Sequence, residues 1–367
     1  NNAFGYAALN LNTTATGNSA FGHAALAANT TGGNNTALGN IALLANTTAN
    51  NNTAVGSSAL SASTTGSNNT AVGFEAMDSN TTANSSTAVG YKALASVQTS
   101  NNNVAIGSEA LTLCTQSDNT AVGTHCMADC TSGQFNTAVG RGALDVLTTA
   151  NDNTAIGYNC SDAITTGTRN TAVGENSLSD ATTATNTVCV GVDSGENITT
   201  GNNNVCLGKS AGSNITTGEN NVCIGKDAHA QSASADNSVT LGNSSISTLR
   251  CNTQTISSLS DARDKTNVID LPEGLNFITK LRPVKFEWAT RDGNGKDGSY
   301  EHGFIAQDLQ AAQKENDADY LNMVSTVNPD RLEASYGKLV PILTKAIQEL
   351  SVKNTALEKR VAALETA

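Results

Sequence analysis

Few side chains in this 367-residue sequence combine reactive chemistry with a suggestive spacing. The eight cysteines come first. Cys189, Cys206 and Cys223 stand 17 residues apart, Cys126 and Cys160 34 apart, and Cys114 and Cys130 16 apart. Zinc takes paired Cys or His at short fixed spacings, and His125-Cys126 with Cys130 is only a faint echo of that, so no metal site is expected. The spacing instead suggests buried positions of a repeat, where free Cys replaces a small residue. Cys114 and Cys130 are the pair best placed for a disulfide under oxidising conditions. A hydroxyl and an amine, Ser260 and Lys265, stand five apart in the segment Ser260-Asp261-Ala262-Arg263-Asp264-Lys265. Spacing alone makes this a weak pattern, and Ser260 before an acid reads as a helix N-cap. The run Asp292-Gly293-Asn294-Gly295-Lys296-Asp297-Gly298 reads as a hairpin connection rather than a calcium loop. His302, the one histidine after residue 260, is expected to fix structure rather than catalyse.

The elements that hold these residues follow from self-similarity. A glycine preceded by Val, Ile, Leu or Phe recurs fifteen times from Gly5 to Gly242, at a spacing of 17 except between Gly107 and Gly123, where it is 16. A period of this kind means a solenoid, whose coils are stable only when stacked. The residue two before the glycine is Ala in the first eleven copies, so Asn-Thr-Ala-Val-Gly alternates large and small and predicts a short strand. The small position must face a tight coil interior or a threefold axis. Ala-Leu pairs such as Ala42-Leu43 and Ala59-Leu60 supply a second apolar point. Near residue 187 Cys replaces the Ala, Gly195 and Gly212 replace the Leu, and Ile198 and Ile215 appear three residues later. Recurrent Asn and Thr, including sequons such as Asn46-Thr47-Thr48 and Asn214-Ile215-Thr216, predict polar ladders and turns between coils. Fifteen coils at about 4.8 Å make a rod on the order of 70 Å long.

Charge divides the chain. Residues 1–259 hold 6 Lys and Arg against 15 Asp and Glu, with neither Pro nor Trp, whereas residues 260–367 hold 14 against 17, all four Pro and the Trp. An acidic, charge-poor surface does not suit nucleic acid, whose affinity comes from neutralising phosphates. No apolar run is long enough to span a bilayer, so membrane insertion is not expected. The chain starts inside a repeat and without Met, which suggests a missing N-terminal region. The expected organisation is a solenoid shaft over 1–250, a junction over 251–259 and a folded domain over 260–367.

Four ordered motifs give that domain a family resemblance. SDARDK (260–265), LRPVKFEW (281–288), HGFIAQDLQ (302–310) and YGKLVPILTKAIQEL (336–350) resemble the C-terminal intramolecular chaperone of phage endosialidase tailspikes and tail fibres, a domain related to one in myelin regulatory factor. The resemblance implies a domain that assembles a trimer and then cuts itself off with a Ser/Lys dyad. On this sequence the nucleophile is then Ser260, the base Lys265 and the scissile bond Leu259–Ser260, a single-turnover autoproteolytic serine endopeptidase without a cofactor. A lysine base needs its pKa lowered from about 10.4 to roughly 7–8, a shift of about 4 kcal/mol that burial can supply. Asp261 and Asp264 would oppose the shift and Arg263 would favour it. A plain helix does not bring positions five apart onto one face, so Ser260 must lie outside the helix or the lysine must come from another chain.

Within the domain, Val284, Phe286 and Trp288 alternate with Lys285 and Glu287 as on a half-buried strand. A helix is predicted from near Gln307 and another from Val340-Pro341, Pro being tolerated in the first turn. In the last helix Val340, Ile347, Asn354 and Val361 fall at a, and Leu343, Leu350, Leu357 and Leu364 at d, giving a parallel coiled-coil seam over 340–367. β-Branched a with Leu at d leans toward two strands, whereas the resemblance implies three. The final copies, Asn237–Ser244, resemble the head repeats of trimeric autotransporter adhesins, which form parallel β-rolls.

The expected fold is therefore a trimeric, mainly β, parallel β-roll solenoid followed by a small α+β chaperone domain. The expected function is a viral tail fibre or spike shaft: a homotrimer assembled in the host cytoplasm, carried on the virion and used for host attachment through a surface receptor or glycan. A bacterial trimeric surface adhesin and, from the recurrent Thr-Thr, an ice-binding solenoid are the alternatives. Glycan hydrolysis is not expected, because no carboxylate pair of the glycosidase kind recurs.

Overall fold

Each repeat places Thr-Ala-Val, or its equivalent, in a three-residue strand, and the fifteen strands β1 (Asn2–Phe4) to β15 (Val239–Leu241) form one sheet in sequence order. All pair parallel and in register, as in Ala37↔Ala54 and Cys189↔Cys206, which makes a parallel β-solenoid of about 14 turns. The computed structural model describes residues 1–246, 248–250, 260–289, 298–330 and 332–366. It comprises two compact units, Asn1–Asn243 and Ser244–Ala367.

From β2 to β14 the small residue at the strand centre is fully buried, for example Ala20, Ala88 and Cys206 at 0% exposure. It faces the coil interior, where it meets the buried Leu or Met of the next segment, such as Leu60 and Met77. The large residue before each glycine points outward. The glycine itself is required by the stacking: at Gly90 φ is +140°, and a Cβ would lie 2.3 Å from the carbonyl oxygen of Gly107 in the next coil.

Polar ladders tie the coils together, as the recurrent Asn and Thr predict. Asn35 and Asn52 are buried; the Asn52 amide N–H donates to Asn35 Oδ1 at 2.9 Å, and Asn35 Nδ2 donates to the Ala49 carbonyl at 2.8 Å. Threonine hydroxyls reach the next coil, Thr47 Oγ1 donating to the Thr64 carbonyl at 3.1 Å. The Asn46 sequon is part of this wiring. Its side chain is buried and donates to Asn29 Oδ1 at 2.7 Å.

The change of pattern near residue 187 is a volume exchange. A Cβ on Gly195 would lie 2.4 Å from Cys189 Sγ, and one on Gly212 would lie 2.2 Å from Cys206 Sγ. The thiols thus lie against the positions that Leu occupies in earlier coils, and Ile198 and Ile215 fill the remaining interior.

The second unit is α+β. A short helix α1 (Leu275–Ile278) precedes the antiparallel hairpin β16 (Val284–Glu287) and β17 (Tyr300–Gly303), helix α2 (Ala306–Glu315), a two-residue pair β18 (Val324–Ser325) with β19 (Glu333–Ala334), and helix α3 (Leu339–Glu365). Phe277, Leu309, Met323, Leu339 and Ile342 make its core. Glu349 of α3 accepts the Leu275 backbone N–H at 2.8 Å, holding the start of α1. Pro341 sits in the first turn of α3, where its missing N–H costs no hydrogen bond. No helix among the described residues is long and apolar enough to cross a membrane.

Candidate functional site

Ser260 and Lys265 meet around a single turn of 3-10 helix. The turn spans Ala262–Asp264, with Ser260 before it and Lys265 closing it in extended conformation. Two residues outside the helix thus curl toward each other, and Lys265 Nζ lies 2.5 Å from Ser260 Oγ and 3.2 Å from the Ser260 carbonyl oxygen. A spacing of five works here because the intervening turn is short and both ends are extended.

The cap differs from the sequence expectation. Asp261, not Ser260, caps the turn, its Oδ1 accepting the Arg263 N–H at 2.9 Å. A carboxylate is the stronger acceptor at a helix N-terminus, and this leaves the Ser260 hydroxyl to Lys265. Arg263 doubles back on the same carboxylate, with Nη2 2.6 Å from Asp261 Oδ2. The guanidinium beside it holds the Asp261 carboxyl below the usual carboxylate range. Asp261 and Arg263 therefore pair with one another. Both Ser260 and Lys265 are exposed in the single chain.

The other sequence candidates fall elsewhere. Leu259, on the amino side of the expected scissile bond, lies outside the described residues, as do 292–297 of the acidic loop. The strands on either side of that loop do pair as a hairpin, with Trp288 N–H donating to the Ser299 carbonyl at 2.9 Å. His302 is exposed on β17, opposite Lys285. The seven described cysteines are free and buried, and no cluster of metal-ligating side chains occurs among the described residues.

The repeat also places exposed Phe74 and Tyr91 together, with ring centroids 5.8 Å apart and planes at 9°. The column one residue after the glycine, read down successive coils, would have shown this pair. Stacked in this way, the rings cover each other's inward faces.

Helix α3 presents a second surface. Leu339, Ile342 and Ala346 are buried against the domain, while Val340, Ile347, Leu357 and Val361 of the expected seam are more than half exposed.

The molecule is thus a parallel β-solenoid joined to an α+β unit that holds a serine and a lysine in hydrogen-bond contact. Residues 260–317, starting at that serine, match the family model described as the chaperone of endosialidase. The match supports an intramolecular chaperone in the C-terminal unit, similar to a family for which self-cleavage is implied. No curated protein matches the chain.

Proposed function

We propose that the chain is the shaft of a viral tail fibre or spike, assembled as a parallel homotrimer by its C-terminal chaperone, which then cuts itself off between Leu259 and Ser260. The observation that carries this reading is the contact of Lys265 Nζ with Ser260 Oγ at the first residue of the family match. In this mechanism neutral Lys265 accepts the hydroxyl proton as Ser260 Oγ attacks the Leu259 carbonyl carbon. The peptide C–N bond breaks, and the proton passes to the leaving Ser260 amine. The resulting ester joins Leu259 to Ser260 Oγ, and water hydrolyses it. The products are 1–259, kept as the shaft, and 260–367, released.

Exposure of the dyad in one chain gives assembly a role. A neutral amine is favoured when its surroundings lose water, so packing of the trimer around Ser260 and Lys265 switches the reaction on only after folding. Two surfaces support the trimer. The outward strand columns carry no charged residue from β1 to β15, and Leu38, Ile106, Ile156 and Ile224 on them are 40–49% exposed. The α3 seam offers a second apolar stripe, suited to parallel neighbours. The shaft meets a host surface receptor or glycan, and the particle is assembled in the host cytoplasm.

The test is substitution at the dyad. Ser260→Ala yields a folded, full-length chain that stays uncut, and Lys265→Ala does nearly the same. Lys280→Ala, which removes only a surface pair with Glu315 and a contact with Asn316, is cut normally. Cleavage after Leu259 in the Ser260→Ala chain, or wild-type rates in Lys265→Ala, would overturn the assignment.

A further inference from the structure

The shortest coil of the solenoid brings two thiols together outside the strands. Between Gly107 and Gly123 the repeat has 16 residues rather than 17, and aligning it with the next coil puts the missing residue after Gln116, at the corner that Gly133 occupies. Cys114 and Cys130 stack at this corner, fully buried, with Sγ atoms 3.8 Å apart. Cys114 Sγ also lies 3.2 Å from the Gln116 carbonyl oxygen and 3.5 Å from Asn119 Nδ2. The Cys130 thiol and the Asn119 amide both donate to the Cys114 sulfur, which lowers its pKa, while Cys130 is pushed up by the same contact and by burial.

The other stacked thiols are arranged differently. Cys189, Cys206 and Cys223 stand in register on paired strands, and Cys206 is in side-chain contact with both neighbours. A disulfide takes Cβ atoms roughly 3.5–4.5 Å apart, and the strand spacing of about 4.8 Å is slightly beyond that range for side chains in register. Cys114 and Cys130 lie outside the strands, at the corner of the short coil.

We propose that Cys114 and Cys130 form a coil-to-coil disulfide when the folded chain meets a small-molecule disulfide oxidant. The Cys114 thiolate attacks one oxidant sulfur and expels the other as a thiolate, giving a mixed disulfide. Cys130, on losing its proton, attacks the Cys114 sulfur and expels the second oxidant thiolate. Two protein thiols are oxidised, one oxidant disulfide is reduced to two thiols, and a loop of shaft is closed across the short coil. Because both sulfurs are buried, the exchange proceeds through transient opening of the adjoining coils and is slow.

Oxidised glutathione is the probe. Full-length protein is incubated with it for minutes to days, in buffer and in urea below the unfolding midpoint, where coils open and reclose more often. The remaining thiols are then alkylated under denaturing conditions. Cleavage before Asp118 and Asp129 puts Cys114, Cys126 and Cys130 on separate peptides, so mass spectrometry reads the pairing directly. The expected product is a Cys114–Cys130 linked pair that dithiothreitol separates and that Cys130→Ala abolishes. Alanine suits this column, since Ala181 fills it four coils after Cys114. Full alkylation of both thiols at the longest time in urea, or earlier links among Cys189, Cys206 and Cys223, would overturn the proposal.

Discussion

Ser260 and Lys265 are in hydrogen-bond contact while a carboxylate between them is engaged elsewhere. Asp261 caps the turn and is held by Arg263. Arg263→Ala releases that carboxylate beside an amine that must be neutral to accept a proton, and attraction to a neighbouring negative charge favours the ammonium form. Self-cleavage in Arg263→Ala is expected to slow, and adding Asp261→Asn should restore most of it. A time course of full-length and cut chain on a denaturing gel measures both, and an unchanged rate in Arg263→Ala would contradict this picture. The sequence shows the residue types at this site and, through the resemblance, their roles. It does not show the cap, because Ser and Asp are both good N-cap residues, and only the fold of one short turn decides between them.

At the level of the element, the repeat makes its interior readable and its exceptions informative. Strand position, parallel pairing and the inward small residue follow from the 17-residue period and the alternation of Ala with Val. The exchange of Leu for Gly beside Cys is visible as a change of letters, but its reason is spatial: Cys206 Sγ lies 2.2 Å from where a Gly212 Cβ would be. Backbone strain is not the obstacle, since Leu26 and Leu43 hold the equivalent positive φ in their coils. Gly212→Ala is therefore expected to destabilise the shaft by about 1–3 kcal/mol through overpacking, and Cys206→Ala in the same chain to recover part of that loss. A double-mutant cycle on the denaturation midpoint tests the coupling, and additive effects would refute it.

A second exception lies in the column that begins with Asn12, Asn29 and Asn46 and becomes Val97, Cys114 and Leu147. Asn80, the last amide before the change, is buried and has no hydrogen-bond partner for either side-chain polar atom. An unsatisfied buried polar group costs about 1–3 kcal/mol, so Asn80→Val is expected to raise the thermal midpoint of the shaft. A lowered midpoint would show that the amide has a role that its contacts do not reveal. Nothing in the local sequence marks Asn80 as different from Asn46, whose Nδ2 does donate to Asn29 Oδ1.

For the whole molecule, the repeat that makes the shaft easy to read also leaves its alignment with neighbours weakly specified. From β3 to β15 the outward strand positions hold only Thr, Val, Leu or Ile, so a slip by one coil changes few contacts. In the proposed trimer, the distinctive seam of α3 is the element that would set the register of the chains. Leu357→Asp places a charge at a d position that is 54% exposed in the single chain; it is expected to reduce the yield of assembled shaft and, with it, self-cleavage. A chain ending at residue 259 should likewise fail to assemble. Soluble trimer from that shortened chain would show that the solenoid aligns itself. Assembly followed by self-release is checked by the intact and native masses of freshly produced full-length protein. Three copies of residues 1–259 in one particle and a separate 260–367 fragment whose first residue is Ser260 are expected. A stable, uncut monomer under native conditions would contradict it.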